Sequence, residues 1–262
     1  HVITIHDTAV FDCAECYSRK YGAWHRWMTP RLVKRAAKIL TVSQFSKSRL
    51  LEHFRLPEDR VVVAGNGVDD HFQPASAETQ ERVRADYRLP RQFALTVGTL
   101  DPRKNLRGIL AAWRMTPGLD KLPLAVAGCQ VAVFRSAVNE PIPSSVHMLG
   151  YVPDDRLPAL YSAASVFIFA SLYEGFGLPP LEAMACGTPT VCTNSSALPE
   201  IVGDAAVLVD PRSPLGIGEA VKRVVDDRAL QARLRELGRQ RAKKFDWKET
   251  AACVWDVLRA AA

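Results

Sequence analysis

Short apolar runs alternate with helix-patterned segments along this whole chain, and that alternation leaves few folds open. The runs hold three to five residues, are rich in Val, Ile and Leu, and are too short to be buried helices. Short buried strands separated by helices argue for βαβ units around parallel sheets. The first run covers residues 1–5 and ends at His6 and Asp7. A helix is expected over 21–38, with Pro30 as a kink or break. Strand 39–42 follows, then a helix over 44–54 for which Ser43 is a fitting N-cap. Strand 61–63 precedes the turn-rich stretch Gly65-Asn66-Gly67-Val68-Asp69-Asp70, where the chain can change direction. A helix is expected near 77–87. Beyond it, strands are expected at 93–97, 124–127, 147–149, 166–169, 190–192 and 207–209. Six parallel strands complete a doubly wound sheet, with ligands at their carboxyl ends. Helices over 213–227, 229–244 and 247–262 close the chain.

Composition excludes several classes. Of 262 residues, 48% are apolar and 24% charged, which is ordinary for a globular protein. The longest apolar run, 163–172, falls short of the ~20 residues of a membrane span and reads as a buried strand. Six cysteines are too sparse for a disulfide-stapled scaffold, so a reducing compartment is expected. The net charge of +6 is local in origin: residues 16–51 hold nine basic side chains and no acidic one. Trp24, Trp27 and Met28 lie inside that stretch at helical spacing. A basic helix with aromatic anchors suits an anionic membrane surface. Tryptophans packed inward beneath a solvated basic face satisfy the same pattern. Nucleic acid comes last, because no recognition motif accompanies the charge.

Two loops carry chemistry. In the first, a buried strand ends near Ala170 and a helix starts near Pro179. Between them, Gly175 and Gly177 let backbone N–H groups approach a ligand, and a glycine loop feeding a helix N-terminus is an anion site. Glu174 on the loop and Glu182 inside the helix frame it, which suits a ligand with both phosphate and hydroxyl groups, such as a sugar nucleotide. An ordinary strand–turn–helix with Glu182 facing the helix dipole would read alike for either acid alone. The second loop, Gly98-Thr99-Leu100-Asp101-Pro102-Arg103-Lys104-Asn105, also joins a strand to a helix. Arg103 and Lys104 there can neutralise a diphosphate without a metal.

With these residues in view, the chain resembles the family 4 retaining glycosyltransferases of GT-B architecture. Residues 174–182 match the family's Glu-x7-Glu element. Residues 98–105, 149–152 and 196–204 match further phrases in the family's order, and Phe245-Asp246-Trp247 resembles the start of its closing helix. The resemblance covers essentially the whole chain. It implies an α/β fold of two Rossmann-like lobes: an incomplete N-terminal, acceptor-side lobe over 1–73, joined by the helix 247–262, and a complete nucleotide-sugar lobe over 74–246. Residue 1 already opens a strand, so a further N-terminal portion is expected before it. The resemblance also implies roles. Glu174 would bond the donor sugar, Glu182 the ribose, and the backbone of Gly175, Phe176, Gly177 and Leu178 the sugar or diphosphate. Arg103 and Lys104, beside Gly98 and Thr99, would hold the diphosphate as leaving group. Val152 would meet the base through its backbone, and His6 would lie near the donor sugar. Many relatives have Arg at the Thr99 position, so Arg103 would carry that work here.

The implied activity is retaining transfer of a sugar from a GDP- or UDP-linked donor to a glycan or lipid-linked acceptor, without metal or cofactor. The Gly-Thr-x-x-Pro-Arg-Lys-Asn phrase leans towards bacterial mannosyltransferase-type members. The expected location is cytoplasmic, peripheral on the inner membrane face through 16–51. A GT-B sugar-nucleotide epimerase, a catalytically silent donor-binding module and a membrane-surface adaptor remain as other readings. No Asp-x-Asp clamp, P-loop or Gly-x-Ser-x-Gly elbow is present. Cys13-x-x-Cys16 lacks the second pair that zinc would need and reads as incidental thiols or a redox pair. His25, His53, His71 and His147 show no partner in the sequence.

Overall fold

The computed structural model describes residues 1–131, 133–134 and 142–261. Its strands are β1 (Val2–Thr4), β2 (Lys38–Thr41), β3 (Val61–Val63), β4 (Ala94–Val97), β5 (Leu124–Ala127), β6 (Val146–Gly150), β7 (Val166–Phe169), β8 (Thr190–Thr193) and β9 (Ala206–Val209). The helices are α1 (Ala9–Asp12), α2 (Arg19–Arg35), α3 (Gln44–Phe54), α4 (Ala77–Asp86), α5 (Leu106–Met115), α6 (Leu157–Ala163), α7 (Leu178–Ala185), α8 (Leu198–Val202), α9 (Pro214–Asp226), α10 (Arg228–Ala242) and α11 (Trp247–Ala260). Residue 262, the last of the expected closing helix, lies outside the described residues.

Two wholly parallel sheets result, in orders β1-β2-β3 and β6-β5-β4-β7-β8-β9. Counted from its own first strand, the larger sheet runs 3-2-1-4-5-6, the doubly wound order with a switch point between β4 and β7. Its strands β5, β7 and β8 are buried on both faces, which is why they read as continuous apolar runs. In β7, Phe167 and Phe169 enter one apolar cluster while Val166 and Ile168 enter the other. In β5, Ala125 and Ala127 face the first cluster and Leu124 and Val126 the second. The smaller sheet packs Ile39 and Val61 against Val33 and Leu50.

Local chemistry sets several boundaries. The Ser43 side chain accepts from Ser46 N at 3.0 Å and caps α3 where expected. Pro30 does not break α2, which continues to Arg35. Proline removes one donor and frees the carbonyl four residues back. Here Pro30 and Arg26 are both exposed, so water can satisfy that carbonyl. The inward-packing alternative for the tryptophans is overturned: Trp24 and Trp27 are 54% and 52% exposed, and the Arg31 guanidinium lies 4.4 Å from the Trp27 ring centre. Their spacing places them on the outer face of α2, whose buried residues are Gly22 and Val33. Among the described residues no helix is long and apolar enough to cross a membrane.

The chain crosses between the sheets near 64–75 and again near 243–247. The crossings touch, with Val68 N donating to Phe245 O at 3.0 Å. Cys253 on α11 reaches the Val63 carbonyl at the edge of the smaller sheet.

Candidate active site

Both chemistry-bearing loops leave the large sheet at its switch point. Residues 98–105 follow β4 and residues 170–177 follow β7, the two strands that pair across that point. Leu172 N donates to Arg103 O at 2.7 Å, and Asn105 Nδ2 donates to Ala170 O at 3.0 Å. The loops are therefore stitched together, once backbone to backbone and once through the Asn105 side chain.

Three of the expected residues meet here. Lys104 Nζ donates to Glu174 Oε1 at 2.7 Å across 70 residues of sequence. Arg103 lies beside them, 8% exposed. Asp101, fully buried, accepts from Arg103 N at 2.9 Å and Nε at 3.2 Å. Thr99 Oγ1 donates to the other Asp101 oxygen at 2.7 Å. Thr99 thus props the carboxylate that orients Arg103. The guanidinium also faces the rings of Tyr17, at 5.3 Å, and Phe134, at 4.9 Å. Burial alone would lower its proton affinity, yet the nearby Asp101, Tyr17, Glu174 and Asp7 raise it, so the group is a fixed cation. Arg103 is a pinned charge at the cleft, while Lys104 is the cation that reaches Glu174.

Glu174 is held from both sides. Its backbone N–H donates to Ser196 Oγ at 2.8 Å, and Ser196 takes a left-handed φ of 53° to present that oxygen. The next residue meets the smaller sheet. A Cβ on Gly175 would lie 2.6 Å from Asp7 Cβ and 2.9 Å from the His6 carbonyl oxygen, so only glycine fits without displacement. Ser43 Oγ and Ser46 Oγ both donate to Gly175 O, at 2.6 and 3.1 Å. His6 is thereby placed against the glycine loop through its backbone, with its exposed side chain in a cleft bounded by Ile5, Asp7, Tyr17 and Tyr21. Phe176 is buried and stacks edge-on to Phe245 at 5.7 Å. Gly177 caps α7, and Leu178 opens it.

Glu182 sits in the second turn of α7, away from Glu174. Tyr161 OH donates to Glu182 Oε2 at 2.9 Å. Burial raises the Glu182 carboxyl above its ordinary range, and the Tyr161 bond only partly offsets this. A second cavity of about 240 Å³ opens at the ends of β4, β5 and β6, lined by Gly98, Thr99, Gly128, Tyr151, Val152 and Asp154. Gly128 is required there: at φ +146° a Cβ would lie 1.7 Å from the Gly98 carbonyl oxygen. Gly98 and Val152, expected near the diphosphate and the base, thus line one recess. A larger cavity of about 450 Å³ lies by the crossings, between Asp69 and Arg239, and includes none of these residues.

Further interlobe contacts were not legible in the sequence. Glu200 accepts from Gln44 N and Phe45 N at 2.9 and 3.1 Å, placing a carboxylate on the N-terminus of α3. Asp12 accepts from Thr8 Oγ1 at 2.6 Å, Tyr173 OH at 2.8 Å, and the Arg49 guanidinium. His53, expected without a partner, bonds Asp12 at 2.9 Å, and His71 bonds Asp69 at 2.8 Å. His25 lies 4.3 Å from the Tyr21 ring. Asp101 and Asn105 stood inside a quoted phrase and could have been singled out as buried turn formers. Ser196 opened the matching stretch 196–204, whereas Tyr161 and Asp7 carried no signal, because their partners are distant in sequence.

Comparison with known proteins agrees with this arrangement. Residues 77–241 match the family model "Glycosyl transferases group 1", and residues 1–72 match "Glycosyltransferase Family 4". O-antigen chain mannosyltransferase B of Escherichia coli is 35% identical over 254 residues, covering 94% of this chain and 67% of that protein. The serotype-specific mannosyltransferase WbdA of Escherichia coli is 33% identical over 229 residues, covering 83% of this chain but only 28% of its own length. Among solved structures, HepE of Anabaena in complex with UDP and glucose superposes with a TM-score of 0.83 at 18% identity, over 98% of this chain and 71% of that one. Sucrose-phosphate synthase of Thermosynechococcus elongatus gives 0.78 at 24% identity, over 99% and 67%. Parallel sheets, a doubly wound order and matches over both sheets converge: the chain belongs to the group 1 family of glycosyl transferases, with the two-lobed GT-B fold.

Proposed function

We propose that this chain catalyses retaining transfer of a sugar, mannose from a GDP-linked donor being the favoured case, to a glycan or lipid-linked acceptor. The observation that carries the reading is the Lys104–Glu174 pair at the switch point, where both loops are stitched together. In this reading the bond from the sugar's anomeric carbon to the β-phosphate oxygen breaks, and negative charge develops on the diphosphate. Lys104, the fixed charge of Arg103 and the N–H groups at the start of α7 stabilise that charge by preorganised electrostatics, without a metal. Glu174 holds sugar hydroxyls, with His6 across the cleft. Glu182 holds the ribose, and the recess at Val152 takes the base. The acceptor hydroxyl enters on the face the diphosphate leaves. The two Escherichia coli relatives, named as mannosyltransferases, support the sugar. HepE, solved with UDP and glucose, supports a nucleotide-linked donor.

Exposed Trp24 and Trp27 beside Arg26 and Arg31 support peripheral contact of α2 with an anionic membrane surface, on the cytoplasmic side. Calorimetric titration of GDP and UDP, with and without magnesium, into wild type and Glu182→Ala tests the donor site. Metal-independent binding of one nucleotide, lost in the variant, is expected. Absence of binding by the folded protein would refute the reading. Product analysis then separates transfer from epimerisation of the donor sugar and from silent binding.

A further inference from the structure

The Cys13-x-x-Cys16 pair lies outside the roles proposed above, and its surroundings give it one. The two cysteines flank a tight turn, with Cys16 N donating to Cys13 O at 3.0 Å. The turn holds the two backbones within one hydrogen bond of each other, so a local side-chain shift suffices to bring the sulfurs to the ~2.05 Å of a disulfide. Cys16 is buried, Cys13 half-buried. Together they belong to an aromatic cluster with Tyr17, Phe134 and Tyr173, which joins the two lobes. Tyr17, next in sequence to Cys16, is one of the two rings facing Arg103. Ser18 N donates to Val133 O at 2.9 Å, and Tyr17 forms a backbone bridge to Phe134, so the turn also anchors the segment carrying the second ring.

We propose that Cys13 and Cys16 form a redox-active dithiol, a site of modification by small-molecule disulfides, whose oxidation displaces Tyr17 and loosens the cradle of Arg103. One thiolate of the pair attacks a sulfur of an external disulfide RSSR and expels RS⁻. The second thiol gives its proton to that RS⁻, and its sulfur displaces the remaining RS⁻. Two protons and two electrons pass to the oxidant, so protein dithiol plus RSSR becomes protein disulfide plus two RSH once RS⁻ takes up the first proton. The neighbouring Cys13 thiol and the Arg103 guanidinium lower the Cys16 thiol against the opposing effect of burial. The consequence for nucleotide binding rests on the function proposed above, whereas disulfide formation and the loosened cradle do not.

Oxidised glutathione and peptide mass mapping test the chemistry, with exposed Cys129 as the internal record of oxidant delivery. The peptide containing residues 13 and 16 should lose two hydrogens without gaining glutathione, while Cys129 gains a mixed disulfide. Hydrogen exchange over 101–105, where Asp101 protects Arg103 N, should then speed up, and dithiothreitol should reverse it. In a Cys129→Ser background, which keeps glutathione out of the recess that Cys129 lines, nucleotide affinity should fall about tenfold on oxidation. Cys13→Ser should abolish both responses. Glutathionylation of Cys129 with no disulfide at 13–16 would overturn the proposal, as would a disulfide that leaves exchange over 101–105 unchanged. If the reduced protein binds no nucleotide, the functional reading fails, and the mass and exchange readouts still decide the dithiol.

Discussion

Gly175→Ala tests whether the two lobes bear on each other through the donor loop. The added Cβ would lie 2.6 Å from Asp7 Cβ and 2.9 Å from the His6 carbonyl oxygen. Neither atom is the end of a flexible side chain, so the loop or the end of β1 must move. Overpacking of this kind costs about 1–3 kcal/mol. The displaced loop also strains the bonds from Ser43 and Ser46 to Gly175 O, each contributing about 1 kcal/mol. The expected destabilisation is about 2–4 kcal/mol, a large share of the roughly 5–15 kcal/mol typical of native proteins. Gly65→Ala is the control: nothing lies within 4 Å of its Cβ position, and only its φ of +74° is strained. That strain alone costs about 1–2 kcal/mol. Urea unfolding of both variants, with hydrogen exchange over 43–46 and 172–178, separates a lost lobe contact from a merely strained backbone. Stability of Gly175→Ala within about 0.5 kcal/mol of wild type, or unchanged exchange at 43–46, would refute the reasoning.

The remaining predictions concern charge. Burial raises the Glu182 carboxyl, so the folded state holds its proton more tightly than the unfolded chain, and its contribution to stability declines as pH rises from about 4.5 through the raised value. Glu182→Gln should therefore gain stability relative to wild type between pH 4 and pH 8; a difference constant across that range would count against it. Bonds from Arg49, Thr8, His53 and Tyr173 overcome the opposing effect of burial and hold Asp12 well below the usual carboxylate range. Its contribution is complete above about pH 4 and is lost on acidification. Asp12→Asn should cost about 2 kcal/mol at pH 7 and flatten the acid limb of the stability curve, as measured by denaturation at each pH. Glu174→Ala should reduce sugar transfer by at least about a hundredfold while nucleotide affinity changes far less, and Lys104→Ala should reduce both. Equal losses of nucleotide affinity in Glu174→Ala and Glu182→Ala would contradict their separate placements.

Element order was readable because each signal is local. The cap at Ser43, the buried run ending in β7 and the proline at the start of α7 act within a few residues of themselves. Strand limits were less exact: β6 runs Val146–Gly150 rather than 147–149, and β8 ends at Thr193 rather than Cys192. Pairing with a neighbour decides those ends, and the neighbour is chosen by the sheet. The tryptophans of α2 show a further limit. Helical spacing puts Trp24, Trp27 and Met28 on related faces, but burial depends on which face meets the body of the protein.

Candidate site residues were nameable to the extent that a loop carried its own chemistry: glycines, a helix start, two acids and two adjacent cations. That both loops open at one sheet edge was expected, but which of their side chains pair was not nameable. Glu174 pairs with Lys104 because β7 lies beside β4, and strand order is a property of the assembled sheet. Arg103 became a pinned charge because Asp101 and Tyr17 enclose it, and Tyr17 arrives from the other lobe. Gly175 is required because His6 and Asp7 press against it from that lobe too. Local propensity and apolar periodicity were enough to specify elements and reactive loops. Which side chains pair within the shared cleft, and which segments of the other lobe press on it, was decided only when packing brought distant residues within hydrogen-bond range.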